Sequence, residues 1–145
     1  MMLVMYGVGM LAESSELINL YSETVFSFTG EVNEIPNPCA IITAYNPKSK
    51  LFSDKHNKTA NDALEQDISE VYYLPVDGAS SDKTHQEPSF MVQISKPAAV
   101  GLAEKYNQNA IYWLEGDDLH IVPVLMDGDE ISIGSFQSRV QSNDY

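Results

Sequence analysis

Amides and one carboxylate, collected at the ends of apolar runs, are the side chains of this sequence best suited to chemistry. Asn46 closes the run Cys39-Ala-Ile-Ile-Thr-Ala-Tyr45, and Pro47 behind it stops any continuation of a ladder. Ser53 opens a helical stretch that carries Asn57 and Asn61. Glu87 and Ser89 stand at the head of Phe90-Met-Val-Gln-Ile94, and Gln108-Asn109 precede Ala110–Leu114. Carboxamides donate and accept, hydroxyls do both, and a carboxylate accepts. Gathered together, Tyr45, Asn46, Ser53, Asn57, Asn61, Glu87, Ser89, Gln108 and Asn109 would line an amide-rich pocket. Such a pocket suits hydrogen-bond recognition of a small polar ligand, nucleotide- or amide-like. The alternative for the same residues is a structural network that ties four loops together. Glu87 is the only catalytic candidate, as the general acid or base of a hydrolase-like enzyme. Neither a nucleophile nor a metal-ligand set accompanies it.

Familiar catalytic patterns are absent from the sequence: it has no phosphate-cradling glycine motif and no Gly-x-Ser-x-Gly elbow. His56, His85 and His120 are scattered, and none has a metal-binding partner at helical or finger spacing. Asp127-Gly-Asp-Glu130 lacks the remaining ligands of a calcium loop and reads as a solvated turn. Neither metal nor cofactor is expected. Cys39 opens a strand that reads as buried, so it is expected to be a structural thiol rather than a nucleophile.

These residues need elements to position them, and the hydrophobic pattern supplies a set. Glu13–Tyr21 reads as a helix, with Leu17, Ile18, Leu20 and Tyr21 on one face and Ser14 or Ser15 as cap. Thr24–Val32 alternates as a strand. Pro36-Asn37-Pro38 breaks the chain before the nearly all-apolar strand Cys39–Tyr45, which is expected to be covered on both faces. Phe52–Ile68 is the clearest helix. Asn57, Asn61, Leu64 and Ile68 are spaced four, three and four apart, so they share one face, and both amides must point inward. Glu70–Val76 reads as a strand. Asp77-Gly78 reads as the start of a polar loop reaching Gln86. Phe90–Ile94 is the next strand. Ser95 caps a further helix, with Pro97 in its first turn and Ala99, Leu102, Ala103 and Tyr106 as buried stripe. Ala110–Leu114 and Leu119–Val124 form a hairpin around Glu115-Gly-Asp-Asp118. Within it, Ile111 and Trp113 should share one face, Tyr112 and Leu114 the other, with Trp113 mostly buried. Ile131–Ile133 is a short last strand. The fold class is α+β: a mixed or antiparallel sheet of five to seven strands covered by two or three helices. Residues 13–134 form the single domain, residues 1–12 an apolar arm, and residues 135–145 a frayed tail.

Composition narrows the function classes. The 145 residues carry 8 Lys and Arg against 21 Asp and Glu, for a net charge of −13. That disfavours direct nucleic-acid binding, which needs a cationic face, and disfavours anionic membrane surfaces. The expected surface is solvated and acidic. The sharper alternative is an acidic inhibitor or nucleic-acid mimic that occupies the groove of a basic protein partner. One cysteine rules out an intrachain disulfide and fits a reducing, cytoplasmic setting. The apolar start Met1–Leu11 has no basic n-region and is too short to span a bilayer. Asn57-Lys58-Thr59 matches the glycosylation sequon without a secretory context.

The ordered motifs Leu20-Tyr-Ser-Glu-Thr24, Ile42-Thr-Ala-Tyr-Asn-Pro47, the Ser53/Asn57/Asn61/Leu64 spacing, Glu87-Pro-Ser89 and Gln108-Asn-Ala-Ile-Tyr112 carry a resemblance. Over residues 17–124 the chain resembles the domain-of-unknown-function 3293 family of small bacterial proteins. The resemblance implies a domain built around these polar motifs, and it implies no activity.

Overall fold

In the computed structural model, which describes residues 14–141 apart from 33, 83 and 84, seven antiparallel strands form one curled sheet. The strands are β1 (Val25–Ser27), β2 (Cys39–Ile42), β3 (Tyr73–Ala79), β4 (Gln86–Val92), β5 (Ala110–Glu115), β6 (Asp118–Pro123) and β7 (Ile131–Ser135). The helices are α1 (Ser14–Ser22), α2 (Asp54–Asp67) and α3 (Lys96–Lys105). The spatial order is β1-β3-β4-β2-β5-β6-β7. This is the expected α+β architecture. The apolar arm 1–12 lies outside the described residues.

β2 is the centre of the sheet, paired with β4 on one side and β5 on the other. Its four residues are all buried, as a strand covered on both faces requires. Cys39 and Ile41 face one core with Tyr21, Phe26, Met91, Tyr112 and Leu114, closed by α1. Ala40 and Ile42 face the other with Leu64, Ile68, Ala99, Ala103 and Trp113, closed by α2 and α3. Ile111 and Trp113 therefore share one face and Tyr112 and Leu114 the other, as strand alternation predicts. Trp113 is 6% exposed.

Several boundaries differ from the sequence reading. β1 stops at Ser27 rather than Val32, because its partner stretch on β3 is only Asp77–Ala79. Asp77-Gly78 is not the start of a loop. Gly78 lies mid-ladder, opposite Phe26 on β1 and Glu87 on β4. A Cβ there would meet Thr24 Cγ2 at 3.7 Å and Phe26 Cε1 at 3.8 Å. Sheet pairing on both sides has overridden the turn propensity of the dipeptide. β4 likewise begins at Gln86 instead of Phe90.

The tail from Ser135, expected to fray, is instead built into the domain as far as Gln141. Phe136 is buried and packs 5.4 Å from the ring of Phe26. Val140 bridges to Phe26 in parallel, and Gln141 N donates to Phe26 O at 2.7 Å. The guanidinium of Arg139 donates to the carbonyls of Ser22, Thr24 and Ile133. The segment after β7 thus crosses to the opposite end of the sheet and covers the outer edge of β1, which would otherwise present unpaired backbone.

Candidate functional site

The polar cluster forms where β2 runs out. β2 and β4 pair in register up to Ile42↔Phe90, so the next like pair would set Ala44 opposite Pro88. The strands separate there, and Asn61 of α2 fills the gap. Its Oδ1 accepts from Ala44 N at 2.8 Å, and its Nδ2 donates to Pro88 O at 2.8 Å. One carboxamide replaces a ladder rung. Asn57 repeats the device one step along: its Oδ1 accepts from Asn46 N at 2.8 Å. The spacing explains why both bonds form. Four residues of helix rise about 6 Å. Two residues of strand rise about 6.6 Å. A helix with asparagines at i and i+4 can therefore serve the N–H groups at i and i+2 of an extended chain. Both side chains are buried, and they continue the stripe through Leu64 that the sequence spacing predicts.

The second function of Asn57 is to fix the loop after Asn46. Its Nδ2 donates to Asn46 Oδ1 at 2.9 Å and to Phe52 O at 3.4 Å, while Phe52 N donates to Asn46 Oδ1 at 3.0 Å. Phe52 is thereby held by both of its backbone polar groups. Ser53 caps α2, its Oγ accepting from His56 N at 3.1 Å. Between them the chain takes left-handed backbone at Asn46 (φ 46) and Lys48 (φ 55). Asparagine tolerates this geometry. For lysine it costs about 1–3 kcal/mol. Lys48 N donates to Asn107 O at 2.6 Å, and Asn107 is itself left-handed (φ 55). The loop after β2 is thus docked onto the loop between α3 and β5.

Gln108 completes the docking. It is fully buried, and its Nε2 donates to the carbonyls of Tyr45 and Tyr106, both at 3.2 Å. Its Oε1 is buried and has no hydrogen-bond partner among the described residues. The carbonyl of Asn109 accepts from Val124 N and Leu125 N. Burial, reinforced by the charges of Asp54 and Asp77, raises the pKa of Tyr45 and keeps its phenol neutral.

Glu87 stands apart. Alternation along β4 puts Glu87 and Ser89 on the side of Met91, the face closed by α1, whereas Asn57 and Asn61 lie on α2 over the opposite face. Glu87 is 2% exposed and lies in the electrostatic environment of Tyr112. The Tyr112 hydroxyl sits 2.8 Å from Tyr21 O and 2.7 Å from Thr24 Oγ1. Its pKa is raised, chiefly by burial. Ser89 Oγ donates to Glu87 O at 3.0 Å. So Tyr45, Asn46, Ser53, Asn57, Asn61 and Gln108 converge around one loop, whereas Glu87 takes the other face of β4, next in sequence to Pro88, whose carbonyl Asn61 and Thr43 bind. Thr43, which the sequence reading omitted, belongs to the cluster. Its Oγ1 donates to Pro88 O at 2.7 Å and accepts from Tyr45 N at 3.1 Å.

The surface of this loop also escaped the sequence reading. Lys48, Lys50, Lys55 and Lys58 are four of the eight cationic residues of the chain. Against Asp54 alone they give residues 48–58 a local charge of +3 in a chain of −13. Leu51 between them is 71% exposed, the highest value among the exposed large apolar side chains of the described residues. Phe52 is 37% exposed and stacks on His56, with ring centres 4.6 Å apart. Among the described residues no group of three His, Cys, Asp or Glu is placed to hold a metal, and no helix is long and apolar enough to cross a membrane. Cys39 is buried, and burial pushes its thiol up to about 12.

Among curated proteins and among solved structures, nothing matches this chain. The matched family region runs from the last residue of β2 to the second residue of β5. It takes in Asn46, Asn57 and Asn61 and leaves Leu20–Thr24 outside. Those residues, 42–111, match the family described as Protein of unknown function (DUF3293), the family that the ordered motifs resemble.

Proposed function

We propose that this chain is a binding domain whose recognition element is the loop Tyr45–Ser53 and the first turns of α2, presented on the Asn46–Asn57–Asn61 staple. One observation carries the reading. The staple engages its amides within the fold, and what it holds in place is an exposed apolar pair, Leu51-Phe52, flanked by Lys48, Lys50 and Lys55, which form no ion pair among the described residues. Asn57 and Asn61 engage both their oxygen and their nitrogen within the fold. A small polar ligand at those amides would have to displace bonds that shape the loop, so the binding surface lies on the loop rather than behind it. An acid–base role for Glu87 gains nothing from the cluster, since its side chain belongs to the opposite face. A basic partner is also disfavoured here, because Lys48, Lys50 and Lys55 are exposed and form no ion pair among the described residues.

Native mass spectrometry of the full chain purified from its own cells tests the reading. The wild type should retain a component that Lys50→Glu loses while its melting temperature stays unchanged. Equal retention by the two proteins, or retention by neither, would refute it.

A further inference from the structure

Resting on that reading, we infer that the occupant of this surface is a protein partner with an acidic face and an apolar recess that receives Leu51. Charge selects the sign. Among the described residues, Lys48, Lys50 and Lys55 have no carboxylate within ion-pair distance, while Lys58 is paired with Asp62 at 3.0 Å. The remainder of the molecule is strongly acidic, so a segment of net positive charge on it is a local feature that the net charge conceals.

Apolar content selects the kind of partner. A Leu side chain left 71% exposed beside a half-open Phe adds nothing to the binding of a phosphate backbone, and it fits a recess in another protein. A nucleic-acid strand would also leave the +3 segment within a few nucleotides and meet the acidic remainder, which repels it. An acidic protein face of limited extent avoids that repulsion.

Preorganisation argues that the exposure is built rather than incidental. Phe52 is clamped through N–H and carbonyl by Asn46 and Asn57, Lys50 N donates to Pro47 O at 3.1 Å, and Lys48 is held left-handed by Asn107. A loop already fixed in one geometry loses little entropy on docking. The flanking lysines then steer the encounter and set its orientation, while Leu51 supplies the anchor.

The test is zero-length carbodiimide cross-linking of the full chain in extracts of its own cells, with the amide bonds mapped by peptide mass spectrometry. The chemistry joins a lysine amine to a carboxylate it already touches, with loss of water taken up by the carbodiimide. The expected bonds run from Lys50 or Lys55 to Asp or Glu of a second, different protein. Affinity for that protein should fall about 30-fold in Leu51→Asp, as removal of an interface anchor does. It should also fall steeply at about 0.5 M salt. Circular dichroism of Leu51→Asp should match the wild type, since the side chain is at the surface. Cross-links confined to a second copy of this chain would overturn the inference, as would undiminished binding by Leu51→Asp. A retained component that is a nucleic acid or small molecule, lost in Lys50→Glu, would overturn this inference yet leave the loop as binding element. Retention of nothing by the wild type would overturn both.

Discussion

Asn57→Ala isolates the staple. The substitution removes the acceptor of Asn46 N, a buried group, and the donor to Asn46 Oδ1 and Phe52 O. Leaving a buried N–H unsatisfied costs about 1–3 kcal/mol, and the lost side-chain bond adds about 1 kcal/mol. Alanine returns roughly 0.6 kcal/mol as a better helix former at this interior position of α2. The net expectation is a loss of about 1.5–3 kcal/mol. For a chain of this size that corresponds to a fall in melting temperature of roughly 4–10 °C. Asp62→Ala, on the exposed side of the same helix and paired with Lys58, should stay within about 0.5 kcal/mol. Urea titration of the two variants beside the wild type reads the difference directly. A loss below about 0.5 kcal/mol for Asn57→Ala would show that Asn46 N finds another partner, and the substitute-rung argument would fall with it.

Three further perturbations probe the parts that hold this site. Trp113→Ala should lose about 3–5 kcal/mol in the same titration, because a nearly buried indole leaves a cavity between α3 and the sheet; a loss under about 1 kcal/mol would place the ring at the surface. Arg139→Ala should lose about 1–3 kcal/mol and expose the C-terminal segment to limited proteolysis, since the carbonyls of Ser22, Thr24 and Ile133 lose their shared donor; unchanged protease resistance would show that Arg139 does not hold the segment after β7 in place. Cys39, raised from 9.0 to about 12 by burial, should resist thiol reagents in the folded state. The sign of its linkage follows from the raised value. The stabilisation is whole below pH 9 and is lost as pH climbs toward 12, because only the unfolded chain releases the proton. Urea midpoints of the wild type and Cys39→Ala should therefore converge over that interval; parallel curves would deny the shift.

The inward asparagines were legible because helical geometry is periodic: spacings of four, three and four leave one face for Asn57, Asn61, Leu64 and Ile68 whatever the sheet does. Cys39–Ile42 was legible for a related reason, since an uninterrupted apolar run between breakers has few exposed solutions. The strand β3 was not legible at its far end. Asp77-Gly78 carries a strong local turn signal, and only β1 and β4 on its two sides make it a ladder. Thr43 was missed because nothing local marks a threonine as the hydrogen-bond partner of a carbonyl 45 residues away. Grouping Glu87 with the amides failed for another reason. Chemical character at element ends does not encode which face of the sheet a side chain takes, and one residue of strand phase separates Glu87 from the Pro88 carbonyl that Asn61 binds.

The basic segment was overlooked through averaging. A net charge of −13 describes the far field, whereas recognition happens within about a Debye length, roughly 10 Å in ordinary salt. Residues 48–58 carry +3 by themselves, and +2 with the Asp62 that pairs with Lys58, beside an exposed Leu51, in contrast to the chain as a whole. On the proposed reading, the same contrast gives the loop its use. An acidic body would discourage nonspecific polyanions and other copies of itself, and a small cationic platform on it would select a partner whose acidic face is matched in extent. The staple supplies the remaining requirement, since a platform this small discriminates by shape only if its backbone is fixed before the partner arrives.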